Sequence, residues 1–139
     1  MLRVAQETDF DFFKMLSREP TEEQLWAQIR QGRLRVIESD EGAIGFIKFC
    51  VLWEFLPFME VIIVRQDCRR RGLGTRAVRD WEREMANRSF RRTIISTQAT
   101  ETAQEFWLKI GYHECGSFTL PGQPTELFMY RDISEKAAA

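Results

Sequence analysis

The sequence is poor in the residues that build metal centres and disulfide frameworks. It has one histidine, His113, and three cysteines, Cys50, Cys68 and Cys115, whose number is odd and whose spacing fits no metal motif. We therefore expect reduced thiols and no metal site. His113 and Cys115 are close in sequence, and this pair stays open as a base with its nucleophile.

Long apolar runs and a surplus of one charge are also missing. No apolar stretch approaches the roughly 20 residues of a membrane span, and Asp9 and Asp11 stand where a signal peptide would be apolar. The net charge of −1 argues against a nucleic-acid binder, because the arginines cluster only locally, at 69–71 and 88–92. These absences predict a cytoplasmic protein without a membrane or nucleic-acid partner.

Length and periodicity predict one domain of mixed α and β structure. The 139 residues suffice for one domain with a sizeable core and not for two, so we assign residues 1–134 to it and predict a disordered tail at 135–139. Capping signals and apolar spacing predict the order β-α-α-β-β-β-α-β-α-β-β. A loop is expected over 54–58, just before the central strand.

The most informative stretch covers residues 61–75. Four β-branched residues, Val61–Val64, predict a buried strand. Arg69–Arg71 follow, and Gly72 and Gly74 would let a ligand approach the backbone closely. Downstream of the glycines, apolar residues recur at a four-residue step, so a helix begins there with unpaired N–H groups and partial positive charge. The pattern predicts a phosphate or pyrophosphate site.

Two common phosphate-binding loops fit this stretch poorly. The segment from Gly72 to Ala77 formally matches the dinucleotide pattern G-x-G-x-x-G/A, but it begins too far behind Val64. The next strand, Thr93–Gln98, also ends without the acidic residue that would hold a ribose. The ATP-type loop G-x-x-x-x-G-K-[ST] is absent.

A third loop does fit. Arg69-x-x-Gly72-x-Gly74 resembles the R/Q-x-x-G-x-G/A signature of the GNAT (Gcn5-related) N-acetyltransferase superfamily. About thirty residues downstream, Ala103–Tyr112 resembles that family's A-x-x-F-Y-x-x-x-G-F segment. The resemblance covers nearly the whole chain. It implies an α+β fold with a mixed, mostly antiparallel sheet flanked by helices, in which the fourth and fifth strands splay apart.

The resemblance also implies acetyl-CoA as the cofactor. The pyrophosphate would lie on the backbone of the glycine loop, and the pantetheine arm would lie along the fourth strand. The implied contacts are Ile62, Ile63, Val64, Arg69, Arg70, Arg71, Gly72, Leu73, Gly74 and Thr75, with Thr100, Phe106 and Trp107 from the second motif.

The resemblance leaves the catalytic groups open. Direct attack by an amine needs no nucleophilic side chain, so the cysteines have no implied role. Glu60 is the first candidate base, although the usual glutamate position falls nearer Phe58, and Glu54 is the other candidate. Glu60 would equally serve as a strand carboxylate facing solvent or an arginine. Trp107 replaces the usual acidic tyrosine, and an indole N–H is too weak an acid to give up its proton. Trp107 fits a plain core position as well.

Aromatic residues around a helix and a hairpin loop predict an acceptor pocket, to which Glu54 and Glu60 would attract a cationic amine. The predicted substrate-binding residues are Trp26, Trp53, Glu54, Phe55 and Phe58. The same aromatics would equally form a dimer interface, so a monomer and a homodimer both stay open.

The expected function is an N-acetyltransferase that moves an acetyl group from acetyl-CoA to a primary amine of a small molecule or peptide. The alternative is a coenzyme A-binding module with little catalytic activity, which the missing tyrosine favours.

Overall fold

The computed structural model describes residues 1–134, so the tail predicted at 135–139 lies outside the described residues. The helices and strands follow the predicted order, with two short 3-10 turns in addition. They are β1 (Leu2–Val4), α1 (Phe10–Leu16), α2 (Glu22–Arg30), β2 (Leu34–Ser39), β3 (Gly42–Leu52), β4 (Leu56–Val64), α3 (Leu73–Asn87), β5 (Arg92–Gln98), α4 (Glu101–Lys109), β6 (His113–Phe118) and β7 (Glu126–Asp132).

The seven strands form a sheet in the order β1-β2-β3-β4-β5-β7-β6. Pairing is antiparallel for β1 with β2, β2 with β3, β5 with β7 and β6 with β7. β4 and β5 run parallel and are paired at Phe58 with Ile94 and at Met59 with Ile95. The predicted fold class, a mixed and mostly antiparallel sheet with helices, is confirmed. The splay of β4 from β5 beyond Met59 stays a prediction.

The loop predicted over 54–58 is wrong in its extent. The chain reverses within a short turn after β3, where Trp53 (φ 50°) and Glu54 (φ 67°) both adopt the left-handed conformation. This tight reversal lets β4 begin at Leu56. Pro57 is tolerated as the second residue of the strand, because a missing N–H costs least near a strand end.

By internal contacts the chain divides into two compact units. The first comprises Met1–Cys50 and Val61–Trp81, and the second comprises Val51–Glu60 and the residues from Glu82 onward. The assignment of residues 1–134 to a single domain therefore stays a prediction. Among the described residues, no helix has both the length and the apolar character that a membrane span requires.

The first unit packs α1 and α2 against its strands. α2 begins at a reciprocal cap, in which Thr21 Oγ1 accepts from the Gln24 N–H at 3.1 Å and the Gln24 side chain accepts from the Thr21 N–H at 2.9 Å. Val61 and Ile63 of β4 pack on the buried cluster beneath the two helices. That cluster consists of Ala5, Phe13, Leu25, Ile29, Leu34, Val36 and Phe46.

The second unit contains a buried polar network centred on Tyr112. The Tyr112 hydroxyl donates to Glu82 Oε2 at 2.8 Å and lies 2.9 Å from Thr93 Oγ1. Arg131 donates to the other oxygen of Glu82 at 2.9 Å. Because Glu82, Thr93 and Tyr112 are all buried, these bonds satisfy groups that would otherwise destabilise the core.

An ion pair anchors the entry to α1 in the first unit. Arg3 donates to both carboxylate oxygens of Asp9 at 2.8 Å, and the Gln6 N–H donates to Oδ2 at the same distance. Asp9 is only 7% exposed. The Arg3 guanidinium therefore holds the pKa of the Asp9 carboxyl below its usual value.

We expect Asp9→Asn to lower the free energy of unfolding by about 2 kcal/mol at pH 7, the scale of hydrogen bonds to charged groups. A depressed folded pKa stabilises the protein above the unfolded pKa of about 3.9, and this contribution is lost as the pH falls through the folded value. The difference in the free energy of unfolding between wild type and variant should therefore disappear below the folded pKa of Asp9. Urea unfolding across a pH series tests this, with exposed Asp11→Asn as the control. A difference that persists in acid contradicts the assignment.

Candidate active site

The glycine loop joins β4 to α3 within the first unit. After Val64 the chain makes a 3-10 turn over Gln66–Cys68, and Arg70 (φ 64°) and Gly72 (φ 74°) then take left-handed conformations. α3 begins at Leu73, and the Arg76 N–H donates to the Gly72 carbonyl at 3.1 Å. Alternation of conformations of this kind turns successive N–H groups toward one side, as in anion-binding nests.

The N–H groups of this loop are available to a ligand. Within residues 1–134, no residue accepts a hydrogen bond from the backbone N–H of Arg70, Arg71 or Gly72. The first turn of α3 adds further unpaired N–H groups and contains no acidic side chain. A Cβ built on Gly72 would meet nothing within 4 Å, so the space over the loop is open. The loop therefore fits the pyrophosphate of coenzyme A.

Side chains hold the loop in place. Arg69 Nε donates to the Val64 carbonyl at 2.8 Å, and Arg71 donates to Glu41 Oε2 at 2.7 Å and to the Asp67 carbonyl at 3.1 Å. Arg70 has no such partner among the described residues. Two of the three arginines thus brace the backbone, and the third is left in solvent.

Gly45 of β3 is a site residue that the sequence reasoning missed. A Cβ on Gly45 would stand 2.2 Å from the Ile63 carbonyl oxygen and 3.0 Å from Val64 Cα. The Arg65 N–H donates to the neighbouring Ile44 carbonyl at 2.7 Å. Only glycine permits this approach of β3 to the end of β4. A lone glycine inside an otherwise apolar strand was the available signal.

The residues of the second motif lie in the second unit. Thr100 is the N-cap of α4, and its side chain accepts from the Ala103 N–H at 3.4 Å. Phe106 is half-buried, and its ring meets that of Trp107 edge to face with centroids 5.0 Å apart. Trp107 is 6% exposed and packs in the same way on Tyr112. This burial supports a core role for Trp107.

The phenol nearest to Trp107 is not an alternative acid. Tyr112 is fully buried, and its hydroxyl proton is directed at Glu82. Burial, with the Glu82 carboxylate adding to it, raises the pKa of Tyr112 far above its usual value. Tyr112 therefore keeps its proton at neutral pH and acts as a structural group.

The three cysteines are free thiols. Cys68 is buried and Cys115 is exposed, and desolvation raises the pKa of both thiols. The His113 ring pairs with Tyr130 at a centroid distance of 5.9 Å. A raised thiol pKa disfavours the thiolate, so the arrangement speaks against a Cys115 nucleophile.

Glu60 lies in the middle of β4, half-buried and with a partner inside the protein. Val61 and Ile63 face the apolar cluster of the first unit. Because side chains alternate along a strand, Glu60 shares the other face with Ile62 and Val64. The assignment of Glu60 as a base stays a prediction.

The predicted acceptor aromatics have different ring partners. Trp53 and Phe55 stack on each other at 6.0 Å and are 74% and 63% exposed. Trp26 stacks on Phe10 at 4.2 Å in the first unit, and Phe58 meets Phe128 at 6.0 Å in the second.

Two cavities bear on the acceptor prediction. Glu54 and Phe55 line one of about 470 Å³ in the second unit, where Arg88, Arg91 and Arg92 outnumber the carboxylates, a setting that does not attract a cationic amine. A second cavity, of about 580 Å³, lies in the first unit. It is lined by Phe13, Leu16, Ser17, Arg18, Glu19, Pro20, Gln24, Leu25, Gln28, Phe46, Lys48, Val61 and Ile63.

The loop, the strand before it and the helix after it are those of an acyl-CoA binding fold. A sequence model of the acetyltransferase (GNAT) family matches residues 1–112. Since this is well over half of the chain, the protein belongs to the GNAT acetyltransferase family. That family uses acetyl-CoA as its cofactor. None of the curated proteins matches the sequence.

Solved structures share the fold at low sequence identity. Ard1 from Thermoplasma volcanium superposes with a TM-score of 0.85 at 14% identity, covering 97% of this chain and 98% of that one. The ribosomal-protein-S18-alanine N-acetyltransferase from Escherichia coli superposes with a TM-score of 0.80 at 16% identity, covering 96% of this chain and 94% of that one. An aminoglycoside 6'-N-acetyltransferase complexed with coenzyme A superposes with a TM-score of 0.81 at 17% identity, covering 96% of this chain and 97% of that one. These similarities establish the fold, and the last two names give different acceptors, the alanine of ribosomal protein S18 and an aminoglycoside.

We expect Gly72→Val to weaken coenzyme A binding by about a hundredfold or more, a loss of several kcal/mol, because its branched side chain would occupy the space over the loop. Arg70→Ala should weaken binding by no more than about fivefold, since its charge is solvated. Calorimetry with coenzyme A measures both.

Gly122→Val is a matched control for Gly72→Val. Gly122 has the same φ of 74° and equally open space around its Cβ position, but it lies in the turn between β6 and β7. An equal loss of affinity at Gly122, or at Arg70, would contradict binding by the loop backbone.

We expect Trp107→Phe to keep turnover within about tenfold of wild type, because neither ring can act as the acid. Loss of the buried indole should lower the free energy of unfolding of the variant by about 1 to 2 kcal/mol. Steady-state kinetics, thermal unfolding and coenzyme A calorimetry separate these effects. A thousandfold fall in turnover with folding and affinity intact would mean that the indole N–H supports the transition state.

Proposed function

We propose that this protein transfers an acetyl group from acetyl-CoA to a primary amine of a small molecule or peptide by direct attack. The observation that carries this proposal is the set of unpaired N–H groups of Arg70, Arg71 and Gly72 at the start of α3. The family match supports it. The three free cysteines support the cytoplasm as the proposed location.

The residues of this chain have distinct tasks in that reaction. The loop N–H groups and the α3 N-terminus hold the negative pyrophosphate. The backbone of Ile62–Val64 would position the pantetheine arm. Cofactor contacts of Thr100, Phe106 and Trp107 stay predictions from the resemblance. Acetyl-CoA supplies the acetyl group as an activated thioester.

The reaction needs a base more than it needs an acid. Acylation of an ammonium releases two protons, of which one ends on the coenzyme A thiol and one in solvent, while a C–N bond forms and a C–S bond breaks. Glu60, whose side chain lies on the face of β4 opposite to Val61 and Ile63, is the proposed acceptor of the first proton through water. A thiolate with a pKa near the free-thiol value of about 8.5 can leave without a phenol, which accounts for Trp107 in the tyrosine position.

A second candidate is a coenzyme A-binding module with little activity. The observation that favours it is the burial of Trp107 together with the engagement of the Tyr112 hydroxyl by Glu82.

Calorimetry with coenzyme A and a thiol-release assay with acetyl-CoA distinguish the two candidates. The assay should span small amines, amino acids, aminoglycosides, polyamines and peptide N-termini, with Gly72→Val as the negative control. We expect coenzyme A affinity together with amine-dependent thiol release that the variant loses. Affinity without release for any amine would establish the binding module instead.

A further inference from the structure

The cavity of about 580 Å³ in the first unit adjoins the strand to which the cofactor is assigned. Val61 and Ile63 form one wall, and both belong to the stretch of β4 that includes the proposed pantetheine contacts. Its apolar lining includes Phe13, Leu25 and Phe46, all of which are buried. The volume is within the range of small-ligand sites, which is about 300 to 1,000 Å³. An acceptor held here would lie beside β4.

The charges of the lining are unbalanced. Arg18 and Lys48 contribute two positive charges and Glu19 one negative charge, which leaves a net charge of +1. Lys48 is half-buried in β3 and lies on the same strand face as Phe46, and both residues line the cavity. Within the described part of the chain, neither Arg18 nor Lys48 forms an ion pair.

Neutral donors complete the lining. Gln24 and Gln28 are four residues apart on α2 and therefore lie on the same face of the helix. The Gln24 side-chain oxygen accepts from the Thr21 N–H, so its amide NH₂ is the group left to meet a ligand. Amide and ammonium donors suit an anion, whereas a polyamine or aminoglycoside would bring several positive charges toward Lys48 and Arg18.

We propose that the acceptor is a primary amine that carries a carboxylate, as in a free amino acid or an acidic peptide N-terminus, with Lys48 and Arg18 holding the carboxylate. This inference rests on the acetyltransferase function proposed above. A carboxylate brings one negative charge, which matches the net charge of the cavity, whereas a phosphate brings about −1.5 to −2. The apolar wall then accommodates the rest of the acceptor beside Ile63.

The test uses acceptors in matched pairs that differ only in the carboxylate. Amino acids are compared with their amides, and peptides with acidic first residues are compared with their neutral counterparts. Spermidine serves as the cationic reference. Thiol release gives kcat and KM for each, and calorimetry on the coenzyme A-loaded protein gives acceptor affinity without turnover.

The variants are Lys48→Met and Arg18→Gln, which remove one charge and keep much of the side-chain length. Exposed Lys109→Met and Arg30→Gln are the matched controls, because neither residue lines the cavity. We expect Lys48→Met to raise the KM and Kd of the carboxylate acceptors by about tenfold or more, the scale of a charged hydrogen bond. The amides should change by less than about twofold, with the coenzyme A Kd and the control variants unchanged.

The possible failures are distinguishable. If amides or spermidine are turned over as well as the carboxylates, or if Lys48→Met affects each member of a pair equally, the inference is overturned while the acetyltransferase function stands. If no amine is acetylated but the carboxylate acceptors still bind in a Lys48-dependent manner, the proposed function fails and the carboxylate site stands. If neither binding nor turnover distinguishes the pairs, the carboxylate site is overturned.

Discussion

The close contact between β3 and β4 at Gly45 is the constraint on which the candidate site depends. A methyl group there would collide with the Ile63 carbonyl oxygen at 2.2 Å, so the missing side chain sets the position of the last residues of β4. The glycine loop departs from that end. Arg69 returns to the Val64 carbonyl and Arg71 reaches Glu41, so the loop is held to the strand and to the β2–β3 turn. The N–H groups are therefore organised before any ligand arrives, which reduces the entropy cost of binding.

Local groups of charge matter more in this protein than its net charge. The net charge is only −1, yet the loop, the α3 N-terminus and the cavity with Lys48 each present positive charge or N–H donors. Arg65 has a structural role instead. It pairs with Asp67, whose pKa it lowers, and this pair braces the chain just before the loop. Arg65, Arg69 and Arg71 therefore brace the loop through their partners, whereas Lys48 is a cation that we propose for a ligand.

The polar core of the second unit adjoins Trp107, which the resemblance places at the position of the usual tyrosine. Tyr112, Glu82, Thr93 and Arg131 form a satisfied network, and Trp107 packs on the Tyr112 ring. Such a network rigidifies the core that supports α4. A proton donor at position 107 would have to function in a buried site, whereas a thiolate can leave without one. The acetyltransferase that we propose would therefore depend on binding and orientation more than on acid catalysis.

Local signals in the sequence predicted the order of the elements, and the resemblance to the GNAT family predicted the fold class and the cofactor, all of which are confirmed. The contacts of the glycine loop with that cofactor stay a prediction. Periodicity identifies strands and helices, and Gly72 and Gly74 act through their own backbone. Sequence alone did not determine the turn after β3, where Trp53 and Glu54 adopt left-handed conformations that few signals predict. Nor did it identify Gly45, the partner of Tyr112, or the cavity with Lys48. Each of these pairs residues far apart in the chain, and only tertiary packing decides which distant groups meet and which charges remain unpaired.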